Sequence, residues 1–410
     1  MNIFLIPSWY PSPNEPVAGI FQRDQALALS ALRPDWKIAV SLSPQSAVWL
    51  SQPRSWPNLR KLLVRQPHRR SVSRNLVEYR RRSVVWTEVV HDGNRGAVIA
   101  AHRTNAYSAA AEFGAFDVIH AHVSYPAGWL AMHLSKELGI PYVLTEHMSP
   151  FPFRDLLDGH ALKDVVREPF ERAAATIAVS PALAREVASF GLPEPRYIPN
   201  LVDETFFVPG PRRSDRRLVF FTLGGMREQK GIDDLLRAIG QLRETQPKIY
   251  RRSSFRIAGT GERLDEYRHL ASDLGLDEVI AWLGALDRAG IRDEYQGCDC
   301  FVLTSRHESF GVTYAEASAC GKPVIATLSG GPETVVTPEN GLLVEVGDTA
   351  AIAVALAEMA ERARDYDPAA IREQFEERFS RSAVVDELEN VYSVARRSDA
   401  RSVSSNQCAE

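Results

Sequence analysis

The stretch that most constrains this chain lies between residues 300 and 333. An apolar run, Cys300 to Leu303, breaks into the polar loop Thr304-Ser305-Arg306-His307-Glu308-Ser309. A helix of small residues is predicted from about Gly311, and Pro323 to Ala326 reads as a second strand. Parallel strands need a crossover between them, so strand, loop, helix and strand in this order is the repeating piece of a parallel α/β sheet. Glu308 and Glu316 flank the loop-to-helix junction. Between them Gly311, Val312 and Thr313 would present backbone N–H groups with no carbonyl partner inside the helix, which makes an anion site. Gly311 lacks a Cβ, so a ligand can approach the backbone closely there. Any one of these features fits a plain α/β unit with two surface glutamates. The combination does not.

With 410 residues the chain is too long for one ordinary core and suits two domains of about 150 to 200 residues each. Its 45% apolar and 24% charged content is that of a globular protein, and a net charge of −4 excludes a general nucleic-acid binder. No apolar run reaches the roughly 18 residues of a spanning helix, and Asn2 to Pro7 is too short for a signal peptide and reads as a first strand. Four cysteines without paired spacing imply reduced thiols, as in a cytosol; Cys298 and Cys300 have the wrong spacing for a CxxC metal or redox motif.

After the first strand a proline-bearing loop leads to Gly19 and a helix, the opening of a nucleotide-binding unit without a G-x-G-x-x-G fingerprint. Gly19 reads either as a backbone N–H donor or as a helix-start glycine. Lys37 to Leu42 is a second strand. From 49 to 82 ten arginines and lysines, interleaved with Trp49, Trp56 and several leucines, face one acid, Glu78. Such a segment suits contact with an anionic membrane, an anionic or phosphorylated acceptor, or a solvated face. Val84 to Val90 reads as a strand and about Arg103 to Phe113 as a helix. Phe116 to His122 is a buried strand whose two histidines point the same way; His122 lies at its C-terminal lip, where ligands bind in open α/β sheets, and His120 lies deeper, as a structural histidine would. Ile140 to His147 is another strand ending in polar residues.

The Pro-, Gly- and charge-rich run at 200 to 216 reads as a linker. This divides the chain into a first domain at 1–199, a second at 217–380, a helix at 381–397 that returns to the first domain, and a disordered tail at 398–410. The second domain opens with a strand, then Gly224-Gly225-Met-Arg227-Glu-Gln-Lys230-Gly231 and a helix. A glycine turn that carries a cation to a helix start is a phosphate cradle in physical terms, although it is not a Walker A loop. The later Gly259-Thr-Gly261 is weak by itself.

These elements resemble the signature of the retaining glycosyltransferases of the GT-B fold, glycosyltransferase family four (group 1). The resemblance rests on Glu308 and Glu316 with seven residues between them, Cys320-Gly321-Lys322-Pro323, Gly330-Gly331-Pro332-Glu333 and Asn340-Gly341-Leu342-Leu343-Val344, all in family order. The His120/His122 and Thr145/His147 strands, the Asn200/Asp203 hinge and Lys230 add to it. It implies two Rossmann-like α/β domains facing each other across a deep cleft. It also implies transfer of a hexosyl group from a nucleotide diphosphate sugar to an acceptor hydroxyl, in cell-surface polysaccharide or glycolipid synthesis, with no metal or other cofactor required.

By the same resemblance His122, Glu308 and Lys230 are catalytic. The donor is held by Gly19, Gly225, Arg227, Lys230, Glu308, Phe310, Gly311, Val312, Thr313 and Glu316, with the ribose on Glu316, and His147 and Gly284 line the cleft. The acceptor is a glycan or lipid-linked molecule, and the enzyme is cytoplasmic, at the inner face of the membrane if the basic segment touches it. One position departs from the pattern: the family's arginine before this lysine is Gly225 here, with Arg227 two places later. That departure leaves an alternative, a non-catalytic nucleotide- or glycan-binding member of the fold.

Overall fold

A computed structural model describes residues 1–12, 15, 17–47, 68–85, 94–211 and 217–407. The chain divides into two compact units. The first comprises Met1–Ala178, Ala184–Ile198 and Val385–Glu410, the second Val179–Leu183 and Pro199–Val384.

The first unit is built on an eight-stranded sheet in the order Arg196–Tyr197, Ala175–Ala178, Tyr142–Glu146, Val118–His122, Asn2–Pro7, Lys37–Leu42, Leu76–Arg80, Arg69–Ser71. All neighbours are parallel except the last pair. Its central strands are near-continuous apolar runs, as strands covered on both faces must be, and Ile3, Phe4, Val118 and Ile119 are wholly buried. From its first strand, Asn2–Pro7, the chain adds strands to one side, then crosses to add Val118–His122 on the other. The order reverses there, and ligands of open α/β sheets bind outside the strand ends at such a point.

The second unit repeats the plan with six parallel strands in the order Ile280–Gly284, Ser253–Ala258, Leu218–Leu223, Cys300–Leu303, Val324–Thr327, Gly341–Val344. Its order reverses between Leu218–Leu223 and Cys300–Leu303. Both units are Rossmann-like.

Several sequence readings shift. The helix expected from Arg103 starts at Arg95. Of the strand expected at 84–90, Ser83–Val85 is a strand and 86–90 lie outside the described residues. The run at 200–216 is no free linker in its described part: Leu201, Val202 and Phe207 are buried, and Arg372 donates to the carbonyls of Glu204 and Phe207 at 2.6 Å. The last helix is Arg381–Gln407, running past the expected end at 397 into the stretch read as disordered. No glycine or proline interrupts that run, so nothing in the backbone stops the helix.

The basic stretch changes most. Residues 48–67, with Trp49, Trp56 and four of its ten cations, lie outside the described residues. In the rest, Leu76–Arg80 is a core strand. Arg69 pairs with Glu112 at 2.5 Å and Arg80 with Glu78 at 2.9 Å, so one of the compensating acids comes from a distant helix rather than from the segment itself. No helix among the described residues is long and apolar enough to cross a membrane.

Candidate active site

In the second unit, two loops leave the sheet side by side at the point of order reversal. One follows Leu218–Leu223 and carries Lys230; the other follows Cys300–Leu303 and carries Glu308. Lys230 Nζ donates to Glu308 Oε1, and Ser305 Oγ donates to the same oxygen at 2.8 Å. Glu308 is further set by its backbone, whose N–H donates to Ser329 O at 3.0 Å and whose carbonyl accepts from Gly331 N–H at 2.8 Å. The pair is half-buried on the lysine side, with side-chain exposures of 23% and 9%. It therefore lies close to solvent while its geometry is held from beneath.

Glycine is required where these loops touch. Gly231 has φ +59°, and a Cβ there would fall 2.0 Å from Thr304 O. Gly259 and Gly261 are more than a turn: a Cβ at 259 would fall 1.9 Å from Gly224 O, and one at 261 would fall 2.5 Å from Met226 O. The weak G-x-G signal is thus the floor under the Gly224–Met226 loop. Gly225 is different. A Cβ there would meet only the Arg227 side chain, at 3.9 Å, so Arg227 runs alongside the place where a side chain at 225 would begin. Arg227 is exposed.

The helix beyond Glu308 is Val312–Ala319, preceded by Gly311 at φ +85°. The first N–H groups of that helix, on Val312 and Thr313, have no carbonyl partner within it. Tyr295 Oη lies 3.0 Å from both Thr313 O and Glu316 Oε2, and burial holds its phenol protonated, so it orients Glu316 as a donor. Tyr295 was not singled out from sequence; it comes from a helix outside the motif. Phe310 packs its ring on Phe379 at 5.5 Å and is buried, so only its backbone is available to a ligand. Gly284, at φ +67°, faces open space at its Cα and accepts from Gly259 N–H at 2.7 Å.

In the first unit, His122 ends the strand beside Asn2–Pro7, and its carbonyl accepts from Ser8 N–H at 3.2 Å. His122 Nδ1 lies 3.0 Å from His147 Nε2, and its Nε2 lies 3.5 Å from Gln25 Nε2. His120 is satisfied internally, by Tyr392 Oη and Thr145 Oγ1, both at 2.7 Å. Burial pushes His122 down to about 3 and His147 well below its ordinary value, so both imidazoles are neutral at neutral pH. Buried Glu146 accepts the backbone N–H groups of Ser124, His147 and Met148 at 2.8 to 3.0 Å, tying together the turns that follow the two strands. At Gly19 the helix-start reading gains a reason: with φ +62°, a Cβ would fall 2.2 Å from Trp9 O.

Among the described residues no group of three or more histidine, cysteine, aspartate or glutamate side chains has a metal-binding arrangement, and Cys298, Cys300 and Cys320 are buried free thiols.

Residues 203–378 match the family model of glycosyl transferases group 1, and residues 58–206 that of glycosyltransferase family 4. Curated relatives include the D-inositol 3-phosphate glycosyltransferase of Stackebrandtia nassauensis, 29% identical over 57% of this chain and 58% of the relative. That of Actinosynnema mirum is 31% identical over 61% and 65%. A GDP-mannose-dependent phosphatidylinositol monomannoside mannosyltransferase of Mycolicibacterium smegmatis is 32% identical over 40% and 46%. The chain spans about three fifths of the length of the first curated relatives it matches. Among solved structures, a sucrose-phosphate synthase from Thermosynechococcus elongatus superposes with a TM-score of 0.71 at 20% identity, covering 96% of this chain and 98% of that one. An Anabaena protein in complex with UDP superposes with 0.68 at 18%, covering 96% and 99%. Two adjoining family matches over two Rossmann-like sheets place the chain in the group 1, family four glycosyltransferases of the GT-B fold.

Proposed function

We propose that this chain moves a hexosyl group from a nucleotide diphosphate sugar to an acceptor hydroxyl with retention of the anomeric configuration, and needs no metal to do so. The observation that carries the proposal is the Lys230–Glu308 pair at the order reversal of the second sheet, next to the N-terminus of Val312–Ala319. Departure of the diphosphate is the hard step, so catalysis consists mainly of stabilising its charge. Lys230, Arg227 and the N–H groups of Gly311, Val312 and Thr313 supply that stabilisation. A lysine, a compact charge with three donors, suits a pyrophosphate oxygen.

When the diphosphate takes Lys230, the Glu308 carboxylate is freed toward the sugar hydroxyls. Already held by Ser305, it orients the sugar rather than attacking the anomeric carbon. With no dedicated nucleophile, leaving and attack on one face account for retention. Glu316, held by Tyr295, takes the ribose hydroxyls. Neutral His122 is suited to accept or donate one hydrogen bond to the transferred sugar. The missing arginine at Gly225 is the feature that favours a binding-only protein. Against it, the exposed Arg227 side chain runs beside that position, which supports its guanidinium taking the same task.

The relatives named for inositol 3-phosphate, together with the exposed Arg70 and Arg74, support an acceptor bearing an anionic group, lipid-linked or free, met at the cytoplasmic face of a membrane. A thermal-shift screen against nucleoside diphosphates and nucleotide sugars tests the donor, since a ligand that binds only the folded state raises Tm. A selective rise with one nucleotide sugar is expected; no rise with any of them rejects the transferase reading. The anomeric proton coupling of the product, read by NMR, tests retention.

A further inference from the structure

We propose that Arg306 is a positioning residue for Lys230, acting through the two aspartates that follow it. This inference rests on the phosphate role proposed for Lys230. The loop carrying Lys230 and the loop carrying Glu308 are joined along their length. Thr304 Oγ1 donates to Gly231 O at 2.7 Å, Arg306 N–H to Gln229 O at 2.7 Å, and Gln229 Nε2 to His307 O at 3.0 Å. Across this seam the Arg306 guanidinium grips the start of the next helix, Ile232–Thr245. Its Nε and Nη2 each lie 3.0 Å from an oxygen of Asp234, and Nη2 lies 2.8 Å from Asp233 Oδ2. A two-pronged arginine–carboxylate contact fixes angle as well as distance.

The consequence for Lys230 follows from its place in the chain. Its own N–H bonds Arg227 O at 3.0 Å, its successor Gly231 is pressed against Thr304 O, and the third and fourth residues after it are held by Arg306. A lysine head on a flexible four-carbon stem is aimed only as well as its backbone is held. There is also a charge argument. Asp233 and Asp234 suit the first turn of a helix, but left uncompensated they would draw the Lys230 ammonium toward themselves and away from a diphosphate. Arg306, whose pKa Asp234 and Asp233 raise, offsets part of that charge without leaving its place.

A double-mutant cycle separates positioning from general structural support. UDP, GDP and ADP are titrated calorimetrically into wild type, Arg306→Gln, Lys230→Ala and the double variant, and the tightest binder is followed. Loss through Lys230 predicts that Arg306→Gln weakens binding about fivefold in the wild-type background and by less than about twofold when Lys230 is already alanine. Arg306→Lys, which keeps the charge and loses the fork, is the second variant should Arg306→Gln fail to fold. It should weaken binding about threefold and be silent in the Lys230→Ala background. Wild-type affinity in Arg306→Gln, or a loss that multiplies with that of Lys230→Ala, overturns the proposal while leaving the phosphate role of Lys230 intact. Failure of all three diphosphates to bind wild type overturns both.

Discussion

The two sheets place chemically opposite groups at the same topological point. Where the first sheet reverses its strand order, the polar groups are buried and neutral: His122 and His147 lie against each other and His120 is closed off by Tyr392 and Thr145. Where the second reverses, the groups are charged and near solvent: Lys230 on Glu308, with Arg227 exposed alongside. The fold supplies a lip in both cases; among the described residues the second brings Lys230 and Arg227 next to the N–H groups that open Val312–Ala319. Under the proposed function the anionic part of a donor is assigned to the second unit, and the neutral hydrogen-bonding groups of the first to a sugar or acceptor.

The largest expected effect breaks that division. Lys230→Ala should lower kcat/KM for transfer by about a hundredfold or more, the scale of removing one preorganised stabiliser of developing charge. His122→Ala should cost only about tenfold, the worth of a single neutral hydrogen bond. Equal losses would show that charge is not what distinguishes the two lips.

Acid should find the first unit before the second. Buried His102, donor or acceptor to Ser41 Oγ at 2.8 Å, is lowered from 6.5 to about 4 by burial. Because the folded state disfavours its protonation, its stabilising contribution is complete above pH 6.5 and is lost as pH falls toward 4. The loss is about 1.4 kcal/mol per pH unit within that window. Melting followed by circular dichroism should show Tm falling from pH 6.5 to 5, less steeply in His102→Gln, with early proteolytic cuts in the first unit. Cuts that begin in the second unit would contradict the contrast.

Smaller effects sharpen it. Glu316→Gln should weaken nucleoside diphosphate binding about tenfold and Tyr295→Phe about threefold, through loss of the bond that orients Glu316. Titration of both variants checks this, and an unaffected Glu316→Gln would remove its ribose role. In the first unit, Tyr392→Phe should cost about 1 kcal/mol in a denaturant midpoint measurement without touching donor affinity, because His120 is structural.

The local parts of this account were legible in the sequence. Lys230, Glu308 and Glu316 each lie within a few residues of a strand end or helix start, so short patterns of glycine, charge and apolar runs reveal them. The partners that aim them were not. Tyr295 reaches Glu316 from a separate helix, Tyr392 reaches His120 from the far end of the chain, and Glu112 neutralises an arginine read as part of an uncompensated patch. No periodicity encodes such pairings, which arise only when the sheet brings distant segments together. Gly231, Gly259 and Gly261 were visible as turns, but their reason, carbonyls about 2 to 2.5 Å from where a Cβ would stand, exists only in the folded chain. Phe310 sits inside the motif, yet its ring serves the core, since an aromatic next to a glycine reads the same whether it faces ligand or protein.

The central claim, that the Lys230–Glu308 lip is a diphosphate site, is tested most directly by comparing a nucleoside diphosphate with its parent nucleoside in calorimetric titrations of wild type and Lys230→Ala. Wild type should prefer the diphosphate by about thirtyfold or more, and Lys230→Ala should lose most of that preference while binding the nucleoside unchanged. A preference that survives the substitution would contradict the account and move the phosphate site away from Lys230.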